Sequence, residues 1–200
     1  MQPLIIHDET YQVAFIVAAG IFGLVGLSAL LGSLRLSARD AGAQRDRGSW
    51  LTVQVGVLAG VLLAYWAATR LTQATMTWHR PVVFGAGIAL MLIGSAVNWV
   101  AIRQLGPFFT VQVAVQSEQR VVRTGLYRFV RHPAYGGQLL FFLGFGLTLT
   151  NWLSIQAVLL CSLAGYGYRI AVEERALREE LDGAYDDYAL RTRRLIPHLW

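Results

Sequence analysis

Apolar residues are bunched along this chain rather than spread through it. Residues 11–34 hold no ionisable side chain except Tyr11, residues 50–69 none except Tyr65, and residues 81–102 none at all. About 20 apolar residues in helical form cross a hydrocarbon core of ~30 Å, so each run predicts a membrane-spanning helix. Helix 1 is expected over Tyr11–Leu34, helix 2 over Trp50–Thr69, and helix 3 from Pro81, a favoured first-turn residue, to Arg103. The following stretch, Leu105 to His132, is too polar to span; within it Val111-Gln112-Val113-Ala114-Val115 alternates like a short strand. Pro133 opens a fourth helix that runs to Thr150, Asn151-Trp152 reads as a tight turn, and a fifth helix returns. The apolar part of that helix, Leu153–Tyr168, is short, but its periodicity continues to Leu181 with Gly183 as a C-terminal cap. It is therefore expected to project beyond the membrane. The pattern predicts an all-α polytopic membrane protein with about five transmembrane helices and a C-terminal helical hairpin. It reads as one integral membrane domain over 1–200, with helices 1–3 in 1–104 and helices 4 and 5 in 105–200. Gly20, Gly23 and Gly26 on helix 1, and Gly56-x-x-x-Gly60 on helix 2, offer small-residue tracks for close helix approach.

Composition agrees: 55% of residues are hydrophobic and 14% charged, against about a quarter charged in soluble domains. Asp8 and Glu9, rather than a basic stretch, precede the first run, which reads as an uncleaved span. All 17 basic residues are arginine. With the N-terminus outside, only Arg70 and Arg80 fall on the outer face and the rest fall inside, which sets the orientation by the positive-inside rule. Topology thus accounts for the net charge of +5 without a nucleic-acid partner. Exclusive arginine usage points to a GC-rich bacterial gene, and so to the inner membrane. Cys161 is the single cysteine, in an apolar run, and excludes an intramolecular disulfide. His7, His79, His132 and His198 show no metal-ligand spacing, so no metal site is expected.

The chemistry concentrates at the hairpin. Gly125-Leu126-Tyr127-Arg128-Phe129-Val130-Arg131-His132-Pro133-Ala134-Tyr135-Gly136-Gly137 leads into helix 4, and Arg169, Glu173 and Glu174 lie where helix 5 leaves the membrane. Ionisable side chains at a membrane span are costly and mark functional sites. Tyr166, Arg169, Glu173 and Leu177 share one helix face, and Arg169 and Glu173 also form an i, i+4 pair. A tight turn between helices 4 and 5 brings Arg131, His132 and Tyr135 opposite Arg169, Glu173 and Glu174. The N-terminus of helix 4 favours a carboxylate or phosphate, while the glutamates suit hydroxyls, an ammonium or a sulfonium. S-adenosylmethionine carries both kinds of group, so a cytoplasmic cofactor pocket is expected.

From Leu105 to Pro197 the chain resembles the isoprenylcysteine carboxyl methyltransferase family, within a wider group that includes phospholipid methyltransferases. The resemblance is carried by Leu105-Gly106-x-x-Phe109-Thr110, by Val122-x-x-Gly125-x-Tyr127-Arg128-x-x-Arg131-His132-Pro133-x-Tyr135-x-Gly137, and by Gly144 and Asn151. It continues through Arg169-Ile170-x-x-Glu173-Glu174-x-x-Leu177, Tyr185-x-x-Tyr188 and Ile196-Pro197. It implies that region 105–200 is catalytic and binds S-adenosylmethionine on the cytoplasmic side. The cofactor-binding set it implies is Tyr127, Arg131, His132, Pro133, Tyr135, Gly137, Glu173 and Glu174. Arg169 and Glu173 are the catalytic candidates, with Arg169 near the acceptor. The expected reaction is methyl transfer to a lipophilic small molecule or lipidated acceptor drawn from the membrane lipids, with a carboxylate foremost. An amine acceptor would instead use Glu173 or Glu174 as a base. Three rival readings are a phospholipid N-methyltransferase, an NADPH-dependent sterol-type reductase sharing the Arg-His-Pro-x-Tyr segment, and a membrane scaffold without chemistry.

Overall fold

The computed structural model describes residues 3–6, 8–37, 46–111, 120–181 and 183–196. Its helices are α1 (Glu9–Ser37), α2 (Ser49–Arg70), α3 (Arg80–Leu105), α4 (Pro133–Thr148), α5 (Trp152–Leu181) and α6 (Gly183–Arg191). The first three apolar runs became helices that extend one to three residues past the expected ends, because flanking polar residues continue the hydrogen-bond ladder into the interface. Four helices (α1, α2, α3 and α5) are long and apolar enough to cross a membrane. At 16 residues, about 24 Å, α4 falls below that length, and the expected count of five rests on it. The strand expected from Val111 onward lies, from Gln112, outside the described residues.

Lipid tails are as apolar as leucine, so membrane helices associate through close packing rather than hydrophobic burial. Glycines provide that closeness here. A Cβ on Gly94 would sit 2.6 Å from Gly137 O, and one on Gly87 2.7 Å from Gly144 O, so α3 and α4 touch backbone to backbone. The Gly56 and Gly60 track behaves as expected: both face Cys161 or Val158 of α5, and Gly165 in turn meets Val53 of α2. The Gly20, Gly23 and Gly26 track does not, since nothing lies within 4 Å of a Cβ built there. Instead α1 docks through aromatic rings, with Phe22 stacked on Phe141 at 3.9 Å and Tyr11 edge-on to Phe84 at 4.8 Å. The opposite face of α1, with Ile16, Leu24 and Leu34, is exposed, as suits contact with lipid.

Asn151 fixes the hairpin turn. Its Oδ1 accepts from the N–H of Leu153 (3.0 Å) and of Ser154 (3.2 Å), capping α5, while Nδ2 donates to Leu71 O at the end of α2 (3.1 Å). At the other end of α5 the expected cap Gly183 opens α6 instead. A nine-residue helix is unstable alone; burial of Tyr185 and Tyr188 on one face holds it.

Gln73, between α2 and α3, and Asp186 on α6 are both exposed. A cysteine placed at Gln73 is expected to react with an impermeant reagent from outside intact cells, and one at Asp186 only after permeabilisation. The reverse labelling pattern would invert the assigned orientation.

Candidate active site

The approach to α4 is held by a backbone pairing that joins distant parts of the chain. Arg131 and His132 donate their N–H groups to Arg193 O (2.7 Å) and Arg194 O (3.0 Å), and Val130 bridges Arg193 in parallel register. The Arg131 guanidinium reinforces this by donating to Ala189 O at 2.9 Å and to Thr192 O. Pro133 then starts α4, where its missing N–H costs nothing. His132 occupies the N-cap position but makes no side-chain capping bond. Its buried ring turns to α5, with Nε2 3.3 Å from Glu174 Oε1 and Nδ1 3.9 Å from Glu173 Oε2.

The two glutamates do different things. Both oxygens of Glu174 are occupied: Arg131 Nε donates to Oε1 (2.9 Å), while Arg178 (3.2 Å) and Arg194 (3.1 Å) donate to Oε2. Its side chain is 1% exposed and lines neither cavity described below. Glu173 is 27% exposed, lines a cavity, and accepts a 2.6 Å bond from the Tyr135 hydroxyl. That hydroxyl accepts in turn from Arg169 Nε at 2.8 Å. Among the described contacts, Arg169 therefore reaches Glu173 through Tyr135 and not as a direct i, i+4 ion pair.

Arg169 pairs with Asp46, from its Nη1 to Oδ1 at 2.9 Å, and also donates to Ser49 Oγ (3.1 Å) and Val111 O (2.6 Å). With Tyr135, these bonds commit four of the five guanidinium N–H groups. Asp46 also caps α2 by accepting from Trp50 N at 3.1 Å. It was not among the expected site residues. Its only sequence signal is an Asp three positions ahead of Ser49 at a helix start.

Two cavities meet at these residues. One, of about 90 Å³, lies among α4, α5, α6 and the 120–127 segment; Tyr127, Arg131, His132, Tyr135, Arg169, Glu173, Tyr185 and Tyr188 line it, with apolar side chains such as Phe108, Val122 and Leu177 between them. The second, of about 380 Å³, opens among α1 to α5 and is walled mainly by apolar side chains such as Phe22, Leu30, Val57, Ile102 and Phe142. Phe109, Thr110, Ala134, Tyr135 and Arg169 border both. Pro133, Gly137 and Glu174 border neither. Gly137 serves α3 instead, since a Cβ there would lie 2.6 Å from Asn98 N.

Three tyrosines lining the first cavity are held as neutral phenols. Burial pushes Tyr188 up to about 12 and raises Tyr127 and Tyr185 well above the ordinary phenol value, with the Glu173 charge adding to Tyr127 and the Glu174 charge to Tyr185. Tyr188 donates to Tyr127 O at 2.7 Å. Among the described residues the Tyr185 hydroxyl has no hydrogen-bond partner, on a residue only 3% exposed. A buried unmade donor is costly, and here it belongs to a cavity-lining side chain. The resemblance covered Tyr185, but the expected site did not include it.

Known proteins resemble this chain in sequence and in fold. Residues 87–179 match the model of the isoprenylcysteine carboxyl methyltransferase family. A probable protein-S-isoprenylcysteine O-methyltransferase of Oryza sativa subsp. indica is 29% identical over 115 residues, 56% of this chain and 60% of that protein. The protein-S-isoprenylcysteine O-methyltransferase of Saccharomyces cerevisiae is 31% identical over 104 residues, 51% of this chain and 44% of its own length. That of Schizosaccharomyces pombe is 25% identical across 89% of this chain and 82% of its own length. This chain thus spans about 60% of the rice relative it matches. A solved structure of a eukaryotic intramembrane Ras methyltransferase shares the fold, with a TM-score of 0.61 and 21% identity over 93% of this chain and 67% of that one. Over residues 87–179 the chain is similar to the isoprenylcysteine carboxyl methyltransferase family.

Proposed function

We propose that this protein transfers a methyl group from S-adenosylmethionine to the carboxylate of a lipophilic acceptor of the isoprenylcysteine type, at the cytoplasmic face of a cell membrane. The observation that carries this reading is the junction of the two cavities. A recess that holds Arg131, His132 and Glu173 and a helix-walled cavity without a carboxylate share Tyr135 and Arg169 on their common border, as needed to bring a polar donor and a greasy acceptor together.

The recess suits the cofactor on its own chemistry. Glu173 offers a partly exposed carboxylate for an amine or hydroxyls, Tyr185 an unpartnered hydroxyl, and Arg131 and the start of α4 a positive wall. When bound, S-adenosylmethionine would supply an electrophilic methyl carbon on a cationic sulfur.

The residues have the remaining work of alignment, and proximity is worth several kcal/mol in such displacements. A carboxylate acceptor is ionised at neutral pH and needs no base. Arg169 would orient it with its charge and the one N–H uncommitted among the described residues, since Tyr135, Asp46, Ser49 and Val111 hold the other donors. Tyr135, locked between Glu173 and Arg169, would fix the spacing of the two cavities.

Isothermal titration of purified protein with S-adenosylhomocysteine tests the cofactor half. Tyr185→Phe is expected to weaken binding about threefold to tenfold, the loss of one hydrogen bond, with an unchanged melting temperature because its hydroxyl has no partner to lose. Glu173→Gln is expected to weaken it at least as much. Unchanged affinity in both variants would sink the assignment of this recess. Transfer of labelled methyl into a total lipid extract, followed by mass identification, tests the acceptor half.

A further inference from the structure

Tyr168, Val172, Arg175 and Glu179 recur along α5 at spacings of four, three and four, so they share one face. At about 100° per residue, that face points away from the one carrying Tyr166, Arg169, Glu173 and Leu177. It is not a plain lipid-facing stripe. A third cavity, of about 100 Å³, is set into it and is bounded on the other side by Arg47, in the turn that leads into α2. The small apolar side chains Ala171, Val172 and Ala176 line this cavity, with Tyr168, Arg47 and Arg175 exposed around it.

Its charge is unbalanced. Among the described residues Glu179 is the one carboxylate lining it, against two guanidiniums. Arg131, Arg178 and Arg194 are taken by Glu174, and Arg169 by Asp46. The side chains of Arg47 and Arg175 have no such partner among the described residues. Two arginines without a counter-ion on one small cavity repel each other unless an anion lies between them.

The height of the cavity says which anion. Tyr168 stands at the end of the apolar part of α5, and exposed tyrosines belong to the membrane–water interface. Arg175 is two turns, about 10 Å, further out, but helical side chains tilt toward their own N-termini, so it leans back to the headgroup layer. Arg47 holds a left-handed backbone (φ 47°), uncommon for such a residue, and Gly48 follows at φ 74°. The Tyr168 hydroxyl donates to Arg47 O at 3.2 Å and ties that turn to α5.

We infer that this cavity seats the phosphate of an anionic phospholipid, from the leaflet at which α5 leaves the membrane, with Arg47 and Arg175 as its clamp. Guanidinium groups bind phosphate oxygens through paired N–H donors, and basic pockets between membrane helices suit acidic headgroups. The tails stay in the bilayer. A soluble phosphate ester carries the same charge, but the interfacial height and the apolar lining favour the lipid. By bridging Arg47 to Arg175, the phosphate braces the turn whose neighbouring Asp46 pairs with Arg169. Bound lipid thus steadies the cation on the border of the other two cavities.

Native mass spectrometry of the detergent-purified protein, titrated with phosphatidylglycerol and with phosphatidylcholine, is the test. The wild type is expected to bind one phosphatidylglycerol about tenfold or more tighter than phosphatidylcholine, and to melt at a higher temperature with it bound. Arg47→Gln combined with Arg175→Gln is expected to lose both effects. Arg103→Gln combined with Arg128→Gln, two exposed arginines off this cavity, is expected to keep them. Equal affinity for the two lipids, or an equal loss in both double variants, would mean diffuse surface charge and no site. Displacement of the lipid by free glycerol 3-phosphate at matched concentration would assign the cavity to a soluble ester and overturn the lipid. Should the first double variant not fold, a photoreactive phosphatidylglycerol decides on the wild type: its adducts are expected within residues 46–50 and 168–179, and adducts only elsewhere would sink the inference. Neither cofactor nor acceptor enters these measurements, so their outcome leaves the methyl-transfer reading as it stands.

Discussion

Glu174→Ala is expected to destabilise the protein by ~3–5 kcal/mol, because it leaves a buried cation without its partner. The cation that matters is Arg131, whose side chain is 10% exposed against 1% for Glu174, at 2.9 Å. Arg178 and Arg194, 41% and 37% exposed, are hydrated without it and add little. The lost interaction reaches further than the pair, since Arg131 also ties the start of α4 to the C-terminal segment through Ala189 and Thr192. In detergent, Glu174→Ala is therefore expected to melt far below the wild type and to lose protection of segment 183–196 in hydrogen exchange. Glu173→Ala, whose bond is to the Tyr135 hydroxyl, is expected to melt close to the wild type and to lose ligand affinity. Equal melting of the two variants would show that the glutamates are interchangeable and that the hub does not hold the tail.

The second large effect is on turnover. Arg169→Lys keeps a positive charge for Asp46, but one ammonium cannot reproduce bonds to Tyr135, Asp46, Ser49 and Val111 that a planar guanidinium makes together. Methyl transfer is expected to fall at least tenfold, a loss of ~1.4 kcal/mol of transition-state stabilisation, with S-adenosylhomocysteine affinity little changed. Asp46→Asn is expected to give a smaller loss in the same direction, because it removes the ion pair but keeps a hydrogen-bond acceptor. A parallel collapse of cofactor affinity in Arg169→Lys would move this residue from the acceptor side to the cofactor side. Unchanged turnover would leave it a structural cation that pins α2 and Val111 to α5.

The sequence by itself determined the membrane class, the helix order, the turn at Asn151 and the Arg131–Tyr135 and Arg169–Glu174 segments of the site. Each is local: apolar run length, a proline at a helix start, and a short polar motif beside a span are legible without knowing what packs against them. Tertiary structure decided what depends on rotation and on distant contact. Glu173 and Glu174 are neighbours in sequence but point about 100° apart around a helix, and only the seating of α5 against α2 and α4 turns Glu173 to the recess and Glu174 to three arginines. The same holds for the glycines, where Gly137 is spent on α3 while Gly20, Gly23 and Gly26 meet nothing. Asp46 is separated from Arg169 by 123 residues, and segment 193–194 from Arg131 and His132 by about 62, so no local pattern could pair them. Tyr185 looks ordinary in its own helix. It becomes a candidate only because the fold buries it beside a cavity and leaves its hydroxyl without a partner among the described residues.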